Sequence, residues 1–297
     1  MNLKGVYIFK QAGKEIARSN NIITSNGKEA ILQFLSGSLS EWASSLAVGV
    51  MANNSPTVSD LALEYEIARS AITLKSYRTG SPDILILKGT IDASVSANIY
   101  EIGIFPITTS QVFGKKDALV ITDFSRPIDW LVTAGSYSTI AFASQSSISP
   151  RVGLNSMSLT NATTITNPGV YANLSSYTKL DTLDILVNVP SGKSGDLEIT
   201  LTDVNSNSIV MTYPFSTEGY QVLSQNFPTN IMSLSSIESI QIKTIGASSN
   251  IVLDAIKVSV LGEISKSSSL ISRSTLATPI GKIYGTPLDV EYYVQMS

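Results

Sequence analysis

The chain contains no cysteine and no histidine. The first absence removes disulfides and thiolate metal sites. The second removes the commonest general base, the Ser-His and Cys-His nucleophile pairs, and most zinc or iron sites. Charge is scarce as well. Only 14% of the 297 residues are Asp, Glu, Lys or Arg, against about a quarter in ordinary soluble domains. With a net charge of −3, a pI near 5.1 and no Lys/Arg stripe, the sequence does not read as a nucleic-acid binder. Long apolar runs are missing too. The segment Met1–Gly5 lacks the run of a secretory signal, and no stretch approaches the roughly 20 residues needed to cross a bilayer. These absences predict a protein made in the cytoplasm, with no membrane insertion and no cofactor. On that reading the sequons at Asn53, Asn161 and Asn173 are chance matches.

Serine and threonine fill much of the space that charge leaves, and the mean hydropathy of +0.20 is high for a lone soluble monomer. Such a chain tends to hide surface against partners or copies of itself. Its length suffices for two domains, each with its own core.

Leu3 to Phe9 reads as a strand, followed by a turn at Gln11–Gly13. One helix follows, with Asn26 as its cap, Glu29 completing a capping box, and Gly37 ending the run. Ala30, Ile31, Phe34 and Leu35 make one apolar face, which predicts an internal brace packed on a sheet. Trp42–Met51 reads as a strand and Asp60–Arg69 as a turn or short helix. Strands are expected at Ile84–Ile91, Ile102–Phe105, Ala118–Asp123, Trp130–Thr133 and Ser138–Ala143.

The polar, Pro-ended stretch 143–150 reads as a linker. Beyond it Leu183, Ile185, Val187 and Val189 alternate with Asp184 and Asn188, only Leu186 breaking the polar side. Leu197, Ile199 and Leu201 alternate likewise, as do Ile240 and Ile242, and Val252–Val260 is a last long strand. This pattern predicts antiparallel sheets with one buried face, a β-sandwich of jelly-roll type. A second serine-rich run, 265–269, closes that module, and Leu288, Val290, Tyr292, Val294 and Met296 form one more alternating strand. The expected fold is mainly β. An α+β first domain (residues 1–150 plus 265–297, a sheet with one bracing helix) carries an inserted antiparallel sandwich at residues 153–263. The alternative is a linear two-domain chain with a C-terminal extension.

The first-domain segments resemble those of bacteriophage tail-collar, tail-fibre and baseplate-periphery proteins. The resemblance rests on Asn26-Gly27-Lys28 opening the helix, Val48-Gly49 in a strand, Ser59–Arg69, Glu101–Phe105, and Thr278–Val294 at the end. It covers about half the chain and lies in the order of the motifs. Val48–Ala52 departs from the pattern by lacking a second glycine. The resemblance implies a structural virion protein of tail, collar or baseplate that forms symmetric homo-oligomers and docks to other virion proteins. Its candidate assembly residues are Glu64, Glu66, Arg69, Glu101 and Gly103. The first three lie within helical reach for pairing within the chain or across to a neighbour. Gly103, between Ile102 and Ile104, suggests close backbone approach or a bulge.

The sandwich is loosely similar to carbohydrate-binding modules, most so at Asn250–Val258. Asp254 is placed by alternation on a face with Val252, Ile256, Val258 and Val260. A carboxylate there needs backbone donors, a Lys or Arg, or a bound calcium, and a hydrogen-bonded or strand-edge Asp is the ordinary reading. The alternative function this similarity implies is binding of host-surface glycan, for which Tyr171, Tyr177, Tyr213 and Tyr220 are the available aromatics. Asp181 and Asp184 are near enough in sequence to suggest a carboxylate pair, but polar strand residues beside a loop are commoner, and no enzyme is expected.

Overall fold

The computed structural model describes residues 3–80, 82–106, 119–142, 150–170, 172–174, 181–228, 236–259 and 270–296. The chain divides into two compact units, one of Met1–Lys115 with Glu263–Ser297 and one of Lys116–Gly262. The first unit opens with β1 (Leu3–Gln11), β2 (Lys14–Asn20), β3 (Ile22–Ile23) and helix α1 (Ser25–Leu35). It continues through β4 (Ser45–Gly49), β5 (Glu66–Arg78), β6 (Ile84–Ile91) and β7 (Ala97–Phe105). The second unit holds β8 (Leu119–Thr122), β9 (Leu131–Ala134), β10 (Tyr137–Ala141), β11 (Asn155–Leu159) and β12 (Thr164–Asn167). Then come β13 (Thr182–Val189), β14 (Ser194–Asp203), β15 (Ser208–Phe215), β16 (Gly219–Asn226), β17 (Ile237–Ser248) and β18 (Ile251–Ser259). The chain returns to the first unit with β19 (Ser272–Lys282) and β20 (Leu288–Met296).

The first unit's strands run in the order β2-β1-β20-β6-β5-β4-β7-β19-β3. Strand β5 is shared. Its first residues pair with β4 and its later ones with β6, so the sheet turns along this strand. Alternation places Tyr7, Phe9, Val290 and Tyr292 on the buried side. Tyr7 stacks on Tyr292 at 4.6 Å, and its hydroxyl lies 2.5 Å from Ser272 Oγ on β19, tying opposite parts of the sheet together. Strands β7 and β19 are antiparallel neighbours, and Ile271 N donates to Ile104 O at 2.8 Å. The whole second unit is therefore spliced into the connection between two paired strands.

Helix α1 differs from expectation in its cap and its packing. Thr24, not Asn26, is the N-cap, its Oγ1 accepting from Gly27 N at 2.9 Å. The same hydroxyl donates to the Leu270 and Ile271 carbonyls, so the cap also fixes the helix against the start of β19. A Cβ on Gly27 would lie 2.2 Å from Ile271 O, and glycine is what permits this approach. Beyond that contact only Ala30 is buried. Leu32 and Leu35 are each 64% exposed, and Phe34 is exposed too. The helix is hung on β19 by its first turn and is no internal brace.

The second unit is a sandwich of two antiparallel sheets. One runs β10-β11-β18-β13-β16 with β8 also on β18, and the other runs β15-β14-β17-β12-β9. Inward rows such as Leu197, Ile199, Leu201 and Ile209, Met211, Tyr213, Phe215 fill the core with Leu183, Ile185, Val187, Ile240 and Ile242. The outer side of the second sheet is Thr-rich and open. Strands β13 and β18 instead bury both faces. Leu186 is the residue that signalled this, since it is fully buried on the outward side.

Three strands expected in the first domain belong here. β8 pairs with β18, β9 with β12, and β10 with β11, while Phe124 and Trp130 pack ring to ring at 5.1 Å in the sandwich core. The division between units falls at 115/116 rather than at 150. Strands β10 and β11 are neighbours, so the Ser-rich stretch 143–150 joins strands of one sheet. Most of that stretch, and all of 265–269, lies outside the described residues.

Candidate functional site

In the first unit the outer side of β4, β7 and β19 is covered by the segment from Met51 to Tyr65. Register places Ala47, Gly103 and Arg273 in one row and Gly49 with Glu101 in the next. Arg273 gathers three carboxylates. It lies 2.9 Å from Asp60 Oδ2, 2.8 Å from Glu64 Oε1 and 3.0 Å from Glu101 Oε2. Glu101 also accepts the backbone N–H groups of Glu64 (3.0 Å) and Tyr65 (2.9 Å). Glu64 in turn accepts those of Asn53 (3.1 Å) and Asn54 (2.7 Å). Burial pushes the Glu101 carboxyl up to about 7, against the opposing pull of the Tyr65 N–H and the Arg273 charge. Burial also works against the Arg273 charge, but Glu101, Asp60 and Glu64 outweigh it and hold the guanidinium above its ordinary value.

Of the sequence candidates, Glu64 and Glu101 meet through Arg273, which sequence reasoning missed. Its available signal was a lone arginine among the small and apolar residues of Leu270–Leu276. Glu66 and Arg69 form a separate pair, with Arg69 Nε 2.8 Å from Glu66 Oε1 and Nη2 2.7 Å from Oε2. The Arg69 guanidinium lies 3.8 Å from the centre of the Phe105 ring. These residues are on strand β5, not on a helix. A register shift opposite Val48–Gly49 inserts one residue and brings positions three apart to the same face. Gly103 serves close approach, because a Cβ there would fall 2.3 Å from Leu270 Cδ1. The arrangement is a clamp that fastens a long connection to a sheet. Among the described residues no cluster of carboxylates is placed to hold a metal ion.

In the sandwich the outward face of the β18 sheet holds the other candidate. A register shift between Leu253 and Ala255 reverses the alternation, so Asp254 does not share a face with Ile256 and Val258, which lie in the core. Its carboxylate accepts Arg151 N at 2.7 Å and Val152 N at 3.2 Å, and the Tyr220 hydroxyl donates to it as well. Burial pushes this carboxyl up to about 7 against those three donors. The loop so held places the Arg151 guanidinium 4.1 Å over the Tyr220 ring. Asn188 lies opposite Tyr220 in register, and both are half-buried.

Tyr213 is a core residue whose hydroxyl donates to Leu183 O at 3.2 Å. Tyr171 and Tyr177 lie outside the described residues. Of the four candidate tyrosines, Tyr220 is thus the one placed at the described surface of the sandwich. Asp181 and Asp184 are both buried, and Asp184 accepts from Ser224 Oγ at 2.5 Å.

No protein-family model and no curated protein sequence matches the chain. Among solved structures, an exo-β-agarase matches over 48% of this chain at 11% identity and a TM-score of 0.37, and the match spans 25% of the agarase's length. A family 11 carbohydrate-binding module from Clostridium thermocellum matches over 48% of this chain and 94% of its own, at 15% identity and a TM-score of 0.33. The enzymatically active domain of tailspike protein 4 of bacteriophage CBA120 matches over 46% of this chain and 20% of its own, at 12% identity and a TM-score of 0.30.

Proposed function

We propose that this chain is a non-catalytic recognition protein whose sandwich unit contacts host-surface glycan at the partly exposed β16 edge of the β18 sheet, around Tyr220. The observation that carries this is the partly exposed Tyr220 ring beside Arg151, with Asn188 next to it in register. A sugar needs an apolar ring to lie on and fixed polar groups for its hydroxyls, and these sit together beside the Arg151–Val152 loop that Asp254 holds by two backbone hydrogen bonds. One ring makes one weak subsite, so useful binding requires several copies acting together. The test is glycan-array screening of the whole protein, then calorimetry on the best hit. Tyr220→Ala is expected to weaken binding by about ten-fold, while Tyr220→Phe keeps most of it. No glycan retained, or equal affinity in Tyr220→Ala, would sink the proposal.

A second reading, a structural subunit of a phage tail, collar or baseplate that forms homo-oligomers, is favoured by a different observation. Helix α1 shows Leu32, Phe34 and Leu35 to solvent, and Val58 and Leu61 are exposed in the connection whose Val58 carbonyl accepts Ser25 N at the helix start. An apolar surface of this kind suits burial against a neighbour. Antibody labelling of purified particles tests it. Density at neck, tail or baseplate supports the virion role, and absence from intact particles excludes it.

A further inference from the structure

The outward face of β1, β2, β6 and β20 forms a groove of about 200 Å³, lined by Lys4, Val6, Ile8, Arg18, Ile84, Tyr293 and Gln295. Its floor is apolar, made by Val6, Ile8, Ile84 and the Tyr293 ring. Its rim is cationic. Arg18 is paired with Glu15, but Lys4 and Arg78 have no carboxylate in ion-pair range among the described residues. Arg78 sits opposite Ile84 in register, with its guanidinium 5.9 Å from the centre of the Tyr293 ring. Towards the other end of the same face the charges are neutralised, Lys10 by Glu291 at 2.7 Å and Lys88 by Asp289 at 3.8 Å. Two cations without a carboxylate partner among the described residues, Lys4 and Arg78, thus lie at the groove, on a chain whose net charge is −3.

We propose that this groove seats an extended, carboxylate-bearing segment of a neighbouring polypeptide. The volume is below the roughly 300–1,000 Å³ of ordinary small-molecule pockets, and it suits two or three side chains better than a whole cofactor. A strand-like segment alternating apolar and acidic residues presents apolar groups to Val6, Ile8 and Ile84 and carboxylates to Lys4 and Arg78. The apolar contacts supply most of the affinity, and the two cations choose the sign of the partner's charge. This inference goes beyond the glycan reading and does not depend on it.

The probe is a fluorescein-labelled peptide of alternating leucine and glutamate, titrated with the whole protein and followed by anisotropy. Its leucine-lysine counterpart is the control. Two partly exposed ion pairs together predict about a five-fold preference for the glutamate peptide, lost at high salt. The double variant Lys4→Glu/Arg78→Glu is expected to reverse that preference while keeping the wild-type circular dichroism spectrum. No saturable binding of the glutamate peptide overturns the proposal. So does undiminished binding by the double variant, or displacement of the peptide by a short oligonucleotide of equal charge.

Discussion

Arg273 is the residue on which most of the first unit's polar order depends. Replacing it with methionine leaves Asp60, Glu64 and Glu101 facing one another without a cation, and removing one partner of a buried ion cluster costs about 3–5 kcal/mol. Chemical denaturation of Arg273→Met is expected to show a loss in that range, whereas Arg18→Met, at an exposed pair, should change little. Glu101 and Asp254 give the stability of the chain a pH dependence. Their carboxyls stand near 7 when folded, against 4.5 and 3.8 for the ordinary groups. Between those values the folded chain binds more protons than the unfolded one. The stabilisation they confer is complete below about pH 4, declines as pH rises, and is gone above about pH 7. The melting temperature should therefore fall between pH 5 and pH 8, and Glu101→Gln should flatten part of that fall. An unchanged slope in Glu101→Gln would assign the effect elsewhere. At this scale the sequence named Glu64, Glu101 and Asp254 but not their partners. Arg273 lies 172 residues from Glu101 along the chain, and only the pairing of β7 with β19 brings them together.

Among the elements, helix α1 shows how spacing can be legible while environment is not. Its existence and length were readable from Ala30, Ile31, Phe34 and Leu35 at helical intervals. Which side would be covered was not, because the helix docks by its first turn, through Thr24 and Gly27, and leaves its later leucines outside. Gly27→Ala would push a methyl into the Ile271 carbonyl and is expected to cost about 1–3 kcal/mol in chemical denaturation. Leu32→Gln with Leu35→Gln touches exposed positions and should leave monomer stability within about 0.5 kcal/mol. If the helix faces a neighbouring subunit, the same pair of changes should shift sedimentation towards smaller species. Sandwich strands were readable where one face meets water, as in β14 and β15. Strands β13 and β18 were harder, since both faces are covered and one bulge at Asp254 reverses the side on which every later residue points.

For the molecule as a whole, the boundary near residue 116 was hidden behind a more conspicuous candidate: Gly114-Lys115-Lys116-Asp117 is polar, but the longer serine-rich stretch looked more like a border, and that stretch joins two neighbouring strands. The pairing of β7 with β19 gives a direct test of the architecture. Joining Pro106 to Leu270 through a short turn should yield a folded first unit, since those ends already lie on adjacent strands. Cooperative thermal unfolding of the excised chain is the expected result, and a spectrum without β structure would show that the first unit needs its insert. The same splice means that the sandwich is moored by two crossings of the backbone. A protease that cuts either crossing once leaves the sandwich covalently attached through the other, and only a second cut sets it loose.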